Sequence, residues 1–565
     1  MKHTLSILCL AIYLLLAGCR ATTKPPYTLH KSATADTAMV ATAHPLATEV
    51  GIDILQQGGN AVDAAVAVNF ALAVVYPRAG NIGGGGFMVH RATDGTVTTL
   101  DYREAAPAAA SRDMYLDAAG NVIEGKSRYG HAAVGVPGTV AGLLTAHERY
   151  GSLPLATLIE PSVTLARDGV LLTQREADKF NQHTTDFVRY NTVQPDLVRQ
   201  WYPGDRWRQP ELAATLERII TDGKAGFYQG RTAELIAAEM QRGEGLITLE
   251  DLANYRAKWR EPIKQQYKQY TIYSMPPPSS GGVALAQLLQ LVEPYPLADY
   301  GYHSARSIHL LTEAERRVYA DRATWLGDSD FYPVPVDSLL SPRYLVGRMS
   351  DYNPMRASTS ADVRAGEPLA LESEETTHFS IVDAMGNAVS ITTTLNSNYG
   401  SKVMVDGAGF FLNNEMDDFS AKPGTPNQFG LVGGEANAIA PGKRMLSSMT
   451  PTIVTRGDSL YLVVGTPGGS TIITSVYQVF LNVAEYGLNI DQAVQRPRFH
   501  HQWLPDELYL EEGDFGDALI DSLERMGHTV VRRGSIGRVE AILRQPDGTL
   551  RGAADRRGDD SVMGY

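Results

Sequence analysis

The spacing of polar and apolar residues changes at Thr376, and that change constrains the fold more than any other feature of the chain. From Thr376 the run TTHFSIVD alternates with a period of two, AMGN supplies a turn, and AVSITTTLN resumes the alternation. Such alternation is the mark of a strand with one face on a core, and two runs joined by a Gly-Asn turn make a β-hairpin. Before that point the sequence is mostly helical. A helix is predicted over 46–57, stopped by Gly58 and Gly59, and a second over 61–75, capped by Asn60 and ended by Pro77. Alanine dominates the second helix, and small side chains let a buried helix come close to a sheet. PSVTLARDG, ELAATLERIITDG and SSGGVALAQLLQLVE read as helices, the last entered at Val283 from the rigid loop Met275 to Gly282. After the hairpin come a buried strand in SLYLVVGTP, a helix in STIITSVYQVFLNVAEYG and a hairpin around QPDGT. Helices mixed with strands, and sheet enriched after 376, predict sheets covered by helices.

The composition removes several classes of function. The chain has 565 residues, 50 basic and 63 acidic side chains and a net charge of −13, with 44% hydrophobic and 20% charged residues. That is the balance of a globular protein, and the length permits a large core without disulfide staples. An acidic balance argues against a nucleic-acid surface, which needs clustered Lys and Arg. The two cysteines, Cys9 and Cys19, cannot build a disulfide framework or a zinc–cysteine cluster.

The first residues read as an address. Lys2 and His3 precede an apolar run from Leu5 to Ala17, too short to span a bilayer comfortably but suited to an export signal. Leu16-Ala17-Gly18-Cys19 resembles the lipobox of bacterial lipoproteins, in which the cysteine is lipidated and begins the mature chain. Residues 1–18 are then a signal peptide and 19–37 a lipidated tether. Arg20 after the cysteine, by that resemblance, favours the outer membrane. The alternative is a plain signal peptide cut near Ala17.

Common catalytic signatures are missing: there is no HExxH, GxSxG, CxxC pair or Walker loop. The glycine run Gly83 to Gly86 lacks the frame of a phosphate cradle and reads as a close approach of backbones. His500 and His501 are adjacent, so on a strand they face opposite ways and make a poor chelate. The expected metal and cofactor content is none.

The remaining distinctive segments are DYREAAP, TTHFS, NNEMDDF, LVGGEANA, RMLSSMTPT and GTPGGS. Together they resemble the gamma-glutamyltransferase (gamma-glutamyl transpeptidase, glutathione hydrolase) family, in order and from about residue 38 to the C-terminus. The resemblance implies an N-terminal nucleophile hydrolase: an α/β, four-layer αββα sandwich formed jointly by two subunits after self-cleavage. The cut falls between Glu375 and Thr376, giving a large subunit over 38–375 and a small catalytic subunit over 376–565. The chemistry fits. A threonine hydroxyl is a weak nucleophile that needs a base, and cleavage gives Thr376 an α-amine of pKa about 7.7–8.

Further roles follow from the same resemblance. Thr394 hydrogen-bonds the nucleophile and Asn396 helps hold the substrate; two residues apart in a strand, they are expected on one face. Read alone, Thr394 is a strand threonine of good β propensity. Arg103 pairs with the substrate α-carboxylate through its planar fork, Ser447 and Ser448 add hydroxyl donors, and Glu415 and Asp418 hold the α-ammonium. Gly468 and Gly469 supply oxyanion-hole N–H groups; without the resemblance they are a tight strand-to-helix turn. Phe429 stands where some relatives carry a lid-fastening tyrosine, which implies a looser lid and more hydrolysis relative to transfer. The implied partners are glutathione and other gamma-glutamyl compounds, amino acid or peptide acceptors, and water, with no cofactor or nucleic acid and a membrane only through the lipid. The implied place is the cell envelope after export. Two rivals stay open: a cephalosporin or glutaryl acylase of the same fold, and an uncleaved surface-binding lipoprotein.

Overall fold

The computed structural model describes residues 26–363, 376–422, 434–513 and 515–565. Two antiparallel sheets of seven strands each form its centre. In chain order their strands are β1 (Ser32–Ala35), β2 (Met39–Thr42), β3 (Gly85–Arg91), β4 (Val97–Tyr102), β5 (Lys258–Arg260), β6 (Ile263–Tyr267) and β7 (Tyr270–Ser274). The later half supplies β8 (Thr377–Val382), β9 (Ala388–Thr394), β10 (Thr452–Arg456), β11 (Ser459–Gly465), β12 (Glu540–Arg544), β13 (Leu550–Ala554) and β14 (Ser561–Gly564). One sheet runs β14-β2-β8-β9-β3-β4-β5, and the other β1-β13-β12-β11-β10-β7-β6. Both sheets therefore interleave strands from before and after residue 376.

Helices cover the outer face of each sheet. On the first lie α1 (Pro45–Gln56), α2 (Ala61–Val75), α3 (Thr139–Tyr150) and α4 (Leu155–Asp168), which share one apolar core with Phe379, Ile381, Val389 and Ile391. On the second lie α5 (Gly281–Val292), α6 (Ala305–Trp325) and α7 (Thr471–Ala484), packed with Val454, Leu462 and Ala541. A third core of Met39, Val89, Val382, Ile453, Val463 and Ile542 fills the space between the sheets. The result is the expected αββα sandwich.

Helix α2 has the bounds read from sequence. All of its 15 residues are buried, so it carries no polar stripe. Asn60 and Asp63 close a capping box at its start, and Asp63 also accepts from Ser152 N at 2.9 Å. The later residues of the expected tether are built into the fold. Tyr27 Oη donates to Leu171 O at 2.9 Å, Lys31 Nζ donates to the carbonyls of Asp555, Gly558 and Asp560, and Ser32–Ala35 is a strand. These residues look polar in sequence because they bind an edge rather than fill a core. Cys19 lies outside the described residues.

Toward the start of β8 the layer between the sheets becomes polar. His378 Nδ1 and Nε2 each lie 3.0 Å from a hydroxyl, of Thr392 and Ser380 respectively. Ser380 gives its own proton to Glu540 O at 3.1 Å, so Nε2–H must donate to Ser380 and Nδ1 must accept from Thr392. Burial pushes the imidazole down to about 3, which keeps it neutral. The ring lies against Gly465, where a Cβ would sit 2.4 Å from both Cε1 and Nδ1 of His378. A Gly465→Ala protein should accordingly lose about 1–3 kcal/mol of stability, and His378→Ala should recover part of it. Thermal unfolding of Gly465→Ala, His378→Ala and the protein carrying both measures this, and an unchanged midpoint for Gly465→Ala contradicts it.

Candidate active site

Register alone brings the nucleophile candidate and the cation into one row. Thr377 pairs with Thr393, so Thr376 falls opposite Thr394. Thr394 pairs with Gly85, and Gly86 with Tyr102, so Arg103 falls opposite Gly85. Thr376, Thr394, Gly85 and Arg103 thus cross four adjacent strands, spanning about 14 Å of backbone at the usual strand spacing. The row lies at the end of the sheet, beyond His378. Ser380 and Ser390 bond at the level of Glu540 and Val464 in the facing sheet, and His378 covers Gly465. Thr376, one step further out, is therefore level with the loop that follows Gly465. It is 6% exposed.

Gly85 makes room within the row. A Cβ there would lie 2.6 Å from Glu104 Oε2, and one on Gly84 would lie 2.0 Å from Thr394 O. The glycine run is a close backbone approach, as its composition indicated. Asn81 ties it down: its Oδ1 accepts from Gly84 N and Thr139 Oγ1, and its Nδ2 donates to Thr394 O, all within 2.8–2.9 Å.

Arg103 is buried with its guanidinium among carboxylates. Nη1 lies 2.8 Å from Glu415 and 3.6 Å from Glu104, and Nη2 pairs with Asp418. Nε donates to Met445 O at 3.3 Å and Nη2 to Leu446 O at 3.2 Å, so the head also fixes the segment before Ser447 and Ser448. Its main chain is held by Asp101, which accepts from Arg103 N at 3.0 Å, and by Tyr255 Oη at 2.7 Å. Glu415 and Asp418 sit in a single 3₁₀ turn. Asn413 sets that turn: its Oδ1 accepts from Gly135 N and Glu415 N, and its Nδ2 donates to Gly83 O and Gly135 O.

Thr394 also interacts with Glu415 and opposes the upward shift of that carboxyl. Asn396 departs from the expected geometry. Strand β9 ends at Thr394, and Asn396 adopts φ 74°, so strand alternation no longer governs it. A turn brings it back instead: Asn396 N donates to Thr394 Oγ1 at 2.7 Å and its Nδ2 to Asn414 O at 3.1 Å.

Ser447 and Ser448 follow the carbonyls that Arg103 holds. Ser447 Oγ accepts from Met449 N at 3.2 Å, and Ser448 Oγ from Arg322 Nη2 at 2.8 Å. Gly468 and Gly469 lie between β11 and α7 with φ of 135° and 55°, conformations that favour glycine. Among the described residues neither of their N–H groups donates to a main-chain acceptor. Glu375 and Phe429 lie outside the described residues.

The Arg103 guanidinium stands among two buried carboxyls, Glu104 and Glu415, and one partly buried carboxyl, Asp418. Burial raises Glu104 to about 8 and raises Glu415 and Asp418 as well, while Arg103 opposes all three shifts. Glu104 is the farthest of the three from Arg103, and it retains a proton near neutrality.

Among the described residues one group, His309, Glu313 and His528, could converge on an ion. Its two rings bond each other at 2.8 Å, and Glu313 is already paired with Arg316 and Arg317. His500 and His501 bond different partners, Thr474 and Asp506.

A threonine at the head of an inner strand, in a two-sheet sandwich covered by helices on both sides, defines an N-terminal nucleophile hydrolase. Comparison with known proteins narrows this class. The sequence model of the family described as Gamma-glutamyltranspeptidase matches residues 47–565. The glutathione hydrolase proenzyme of Pseudomonas aeruginosa (strain PAO1) is 50% identical over 537 residues, 93% of this chain and 94% of its own length. That of Escherichia coli (strain K12) is 47% identical over 532 residues, 93% and 92% of the two chains. The crystal structure of a cephalosporin acylase from Bacillus halodurans superposes with a TM-score of 0.84 at 28% identity, covering 97% of this chain and 99% of that one. The chain belongs to the gamma-glutamyltranspeptidase family and is an enzyme of the hydrolase and transferase kind.

The state of Glu104 has a measurable consequence. Its proton is bound in the folded protein up to about pH 8 but is lost from an unfolded chain near pH 4.3. The folded state binds more protons between those values, so this group's contribution to stability falls as pH rises through that window. Relative to Glu104→Gln, the wild-type unfolding midpoint should drop from about pH 5 to about pH 8 and then level off. A constant difference between the two proteins across this range contradicts the assignment.

Proposed function

We propose that this chain is made as a proenzyme that cuts its own Glu375–Thr376 bond and then acts as a gamma-glutamyltransferase and glutathione hydrolase. The observation that carries this reading is the row that sets Thr376 and Thr394 in line with Arg103, whose guanidinium lies between Glu415 and Asp418. A gamma-glutamyl group keeps its α-carboxylate and α-ammonium, and a site with a cation flanked by anions binds both charges of such a zwitterion. The relatives named glutathione hydrolase proenzyme support the same substrate and the same processing.

The mechanism follows from these groups. The Thr376 α-amine takes the proton of its own hydroxyl, directly or through water, as Oγ attacks the gamma-carbonyl carbon. The N–H groups of Gly468 and Gly469 receive the oxyanion. Collapse breaks the C–N bond, and the α-ammonium returns the proton to the departing amine, cysteinylglycine when the donor is glutathione. Thr394 keeps the nucleophile aligned from across the strand pair. Water then hydrolyses the glutamyl ester to glutamate, or the amine of an amino acid or peptide takes the glutamyl group. Residues 38–375 would form the large chain and 376–565 the small one, held as a heterodimer by the interleaved sheets. Cys19 would carry lipid, and the enzyme would sit in the cell envelope; the apolar run from Leu5 to Ala17 and the Leu-Ala-Gly-Cys sequence support this.

The acylase reading is the one rival with a structural likeness. A glutaryl group has no ammonium, so it leaves Glu415 and Asp418 without a substrate partner. Denaturing gels and p-nitroanilide release test both readings. The wild type should run as two chains, the smaller beginning at Thr376, and should release p-nitroaniline from the gamma-glutamyl anilide at least about a hundredfold faster than from the glutaryl anilide, the loss expected when buried charges are left unpaired. Thr376→Ala should remain one chain and release none. Turnover by an uncut wild-type chain, or equal rates on the two anilides, would overturn the proposal.

A further inference from the structure

A second buried arginine, Arg322, stands behind the serines of the site. It projects from the last turn of α6 and is 2% exposed. Nη2 donates to Ser448 Oγ and Nε to Ser280 Oγ, each at 2.8 Å. Its charge also reaches Asp418 and opposes the upward shift of that carboxyl.

Hydrogen-bond direction gives these contacts a specific consequence. A serine hydroxyl has one proton to donate and lone pairs to accept. Ser448 Oγ accepts from a guanidinium, which cannot accept in return, so the Ser448 proton must point away from Arg322. The adjacent positive charge also makes that O–H a stronger donor. Ser280 passes the constraint to its neighbour. Its oxygen accepts from Arg322, its proton goes to Ser447 O at 2.7 Å, and its main-chain N–H donates to the same carbonyl at 2.7 Å. Ser447 N donates to Pro278 O at 2.9 Å, and Ser447 Oγ accepts from Met449 N. The Ser447 proton is thereby also directed away from its own main chain.

We propose that Arg322 is a positioning residue for the α-carboxylate of the substrate: it commits the Ser448 hydroxyl to donate, and through Ser280 it fixes the main chain that carries Ser447. A carboxylate only accepts, so a hydroxyl committed to donate beside Arg103, with the Ser447 segment held in place, selects it over a hydrogen. This inference rests on the gamma-glutamyl reading and adds to it the origin of selectivity at one end of the zwitterion. The loop that carries Ser279 and Ser280 then has a role beyond entering a helix, since it transmits the orientation from a large-chain helix to small-chain serines.

The experiment compares wild type, Arg322→Gln, Arg322→Lys, Ser448→Ala and the Arg322→Gln/Ser448→Ala double variant. Self-cleavage is read on gels, and kcat and KM on gamma-glutamyl p-nitroanilide. Product inhibition is measured with L-glutamate and with γ-aminobutyrate, which is glutamate without its α-carboxylate. Arg322→Gln should raise KM and the glutamate Ki about tenfold or more, as loss of a charge-assisted hydrogen bond does, with the γ-aminobutyrate Ki unmoved. Arg322→Lys should recover part of the loss, and the double variant should lose less than the two single losses combined. An unchanged ratio of the two inhibition constants in Arg322→Gln overturns the proposal, as does a full additional loss in the double variant. If Arg322→Gln does not fold or cut itself, Ser280→Ala must lower the same selectivity ratio, and failure to do so is equally fatal. A wild type that neither cuts itself nor uses the gamma-glutamyl anilide would instead sink the underlying reading of the site.

Discussion

The hairpin that begins at Thr376 is held in place because its ladder is occupied on both sides. Strand β8 bonds to β2 and to β9, and β9 bonds in turn to β3. With both flanking partners contributed by the earlier part of the chain, the register of β8 is fixed by main-chain hydrogen bonds that do not involve residue 376. A slip of one residue would turn Thr376 and His378 into the helix layer and bring Phe379 and Ile381 between the sheets. The same ladder persists after a cut before Thr376, so a new α-amine is created on a strand end that cannot wander.

Around that ladder the interior is arranged in two regimes. Apolar cores on the outer faces of both sheets and in the middle of the sandwich supply the burial. At the end where the row lies, hydroxyls, a neutral histidine and a cluster of charges replace them. Buried charge is costly, and a buried ion pair is weak evidence for stability. Under the proposed function, Arg103, Glu104, Glu415 and Asp418 hold unmatched polarity that a zwitterion would complete. Gly84, Gly85 and Gly465 make that arrangement sterically possible, since each lies where a side chain would strike a group of the site or its support.

The likeness to a cephalosporin acylase shows how little the sandwich itself decides about substrate. The scaffold places a threonine at a strand head; under the proposed function the charges brought by β4 and by the turn at Glu415 select what is bound near it. Chemistry and selectivity are thus carried by different parts of one sheet end, and the second can change while the first is kept.

Local sequence was sufficient where local forces decide. The capped, alanine-rich run at Ala61–Val75, the hairpin after Thr376 and the close approach at Gly83 to Gly86 were each legible, because caps, alternation and glycine report backbone conformation directly. Motif resemblance marked Arg103, Thr394, Glu415, Asp418, Ser447, Ser448 and the glycine pair. Nothing local marked Asn81, Asn413, Ser280 or Arg322, which read as ordinary polar residues of loops and helices; only hydrogen bonds to distant carbonyls and hydroxyls give them work. Asn396 defeated the period-two rule because its strand had already ended, and Lys31 looked like tether because its three carbonyl partners lie more than 500 residues away. Sequence by itself determined which elements form and which residues carry charge or nucleophilicity, since these depend on each residue and its neighbours. Tertiary structure alone decided register, proton direction and the sharing of one guanidinium among three carboxyls, because those are set by groups that meet only when the two sheets close.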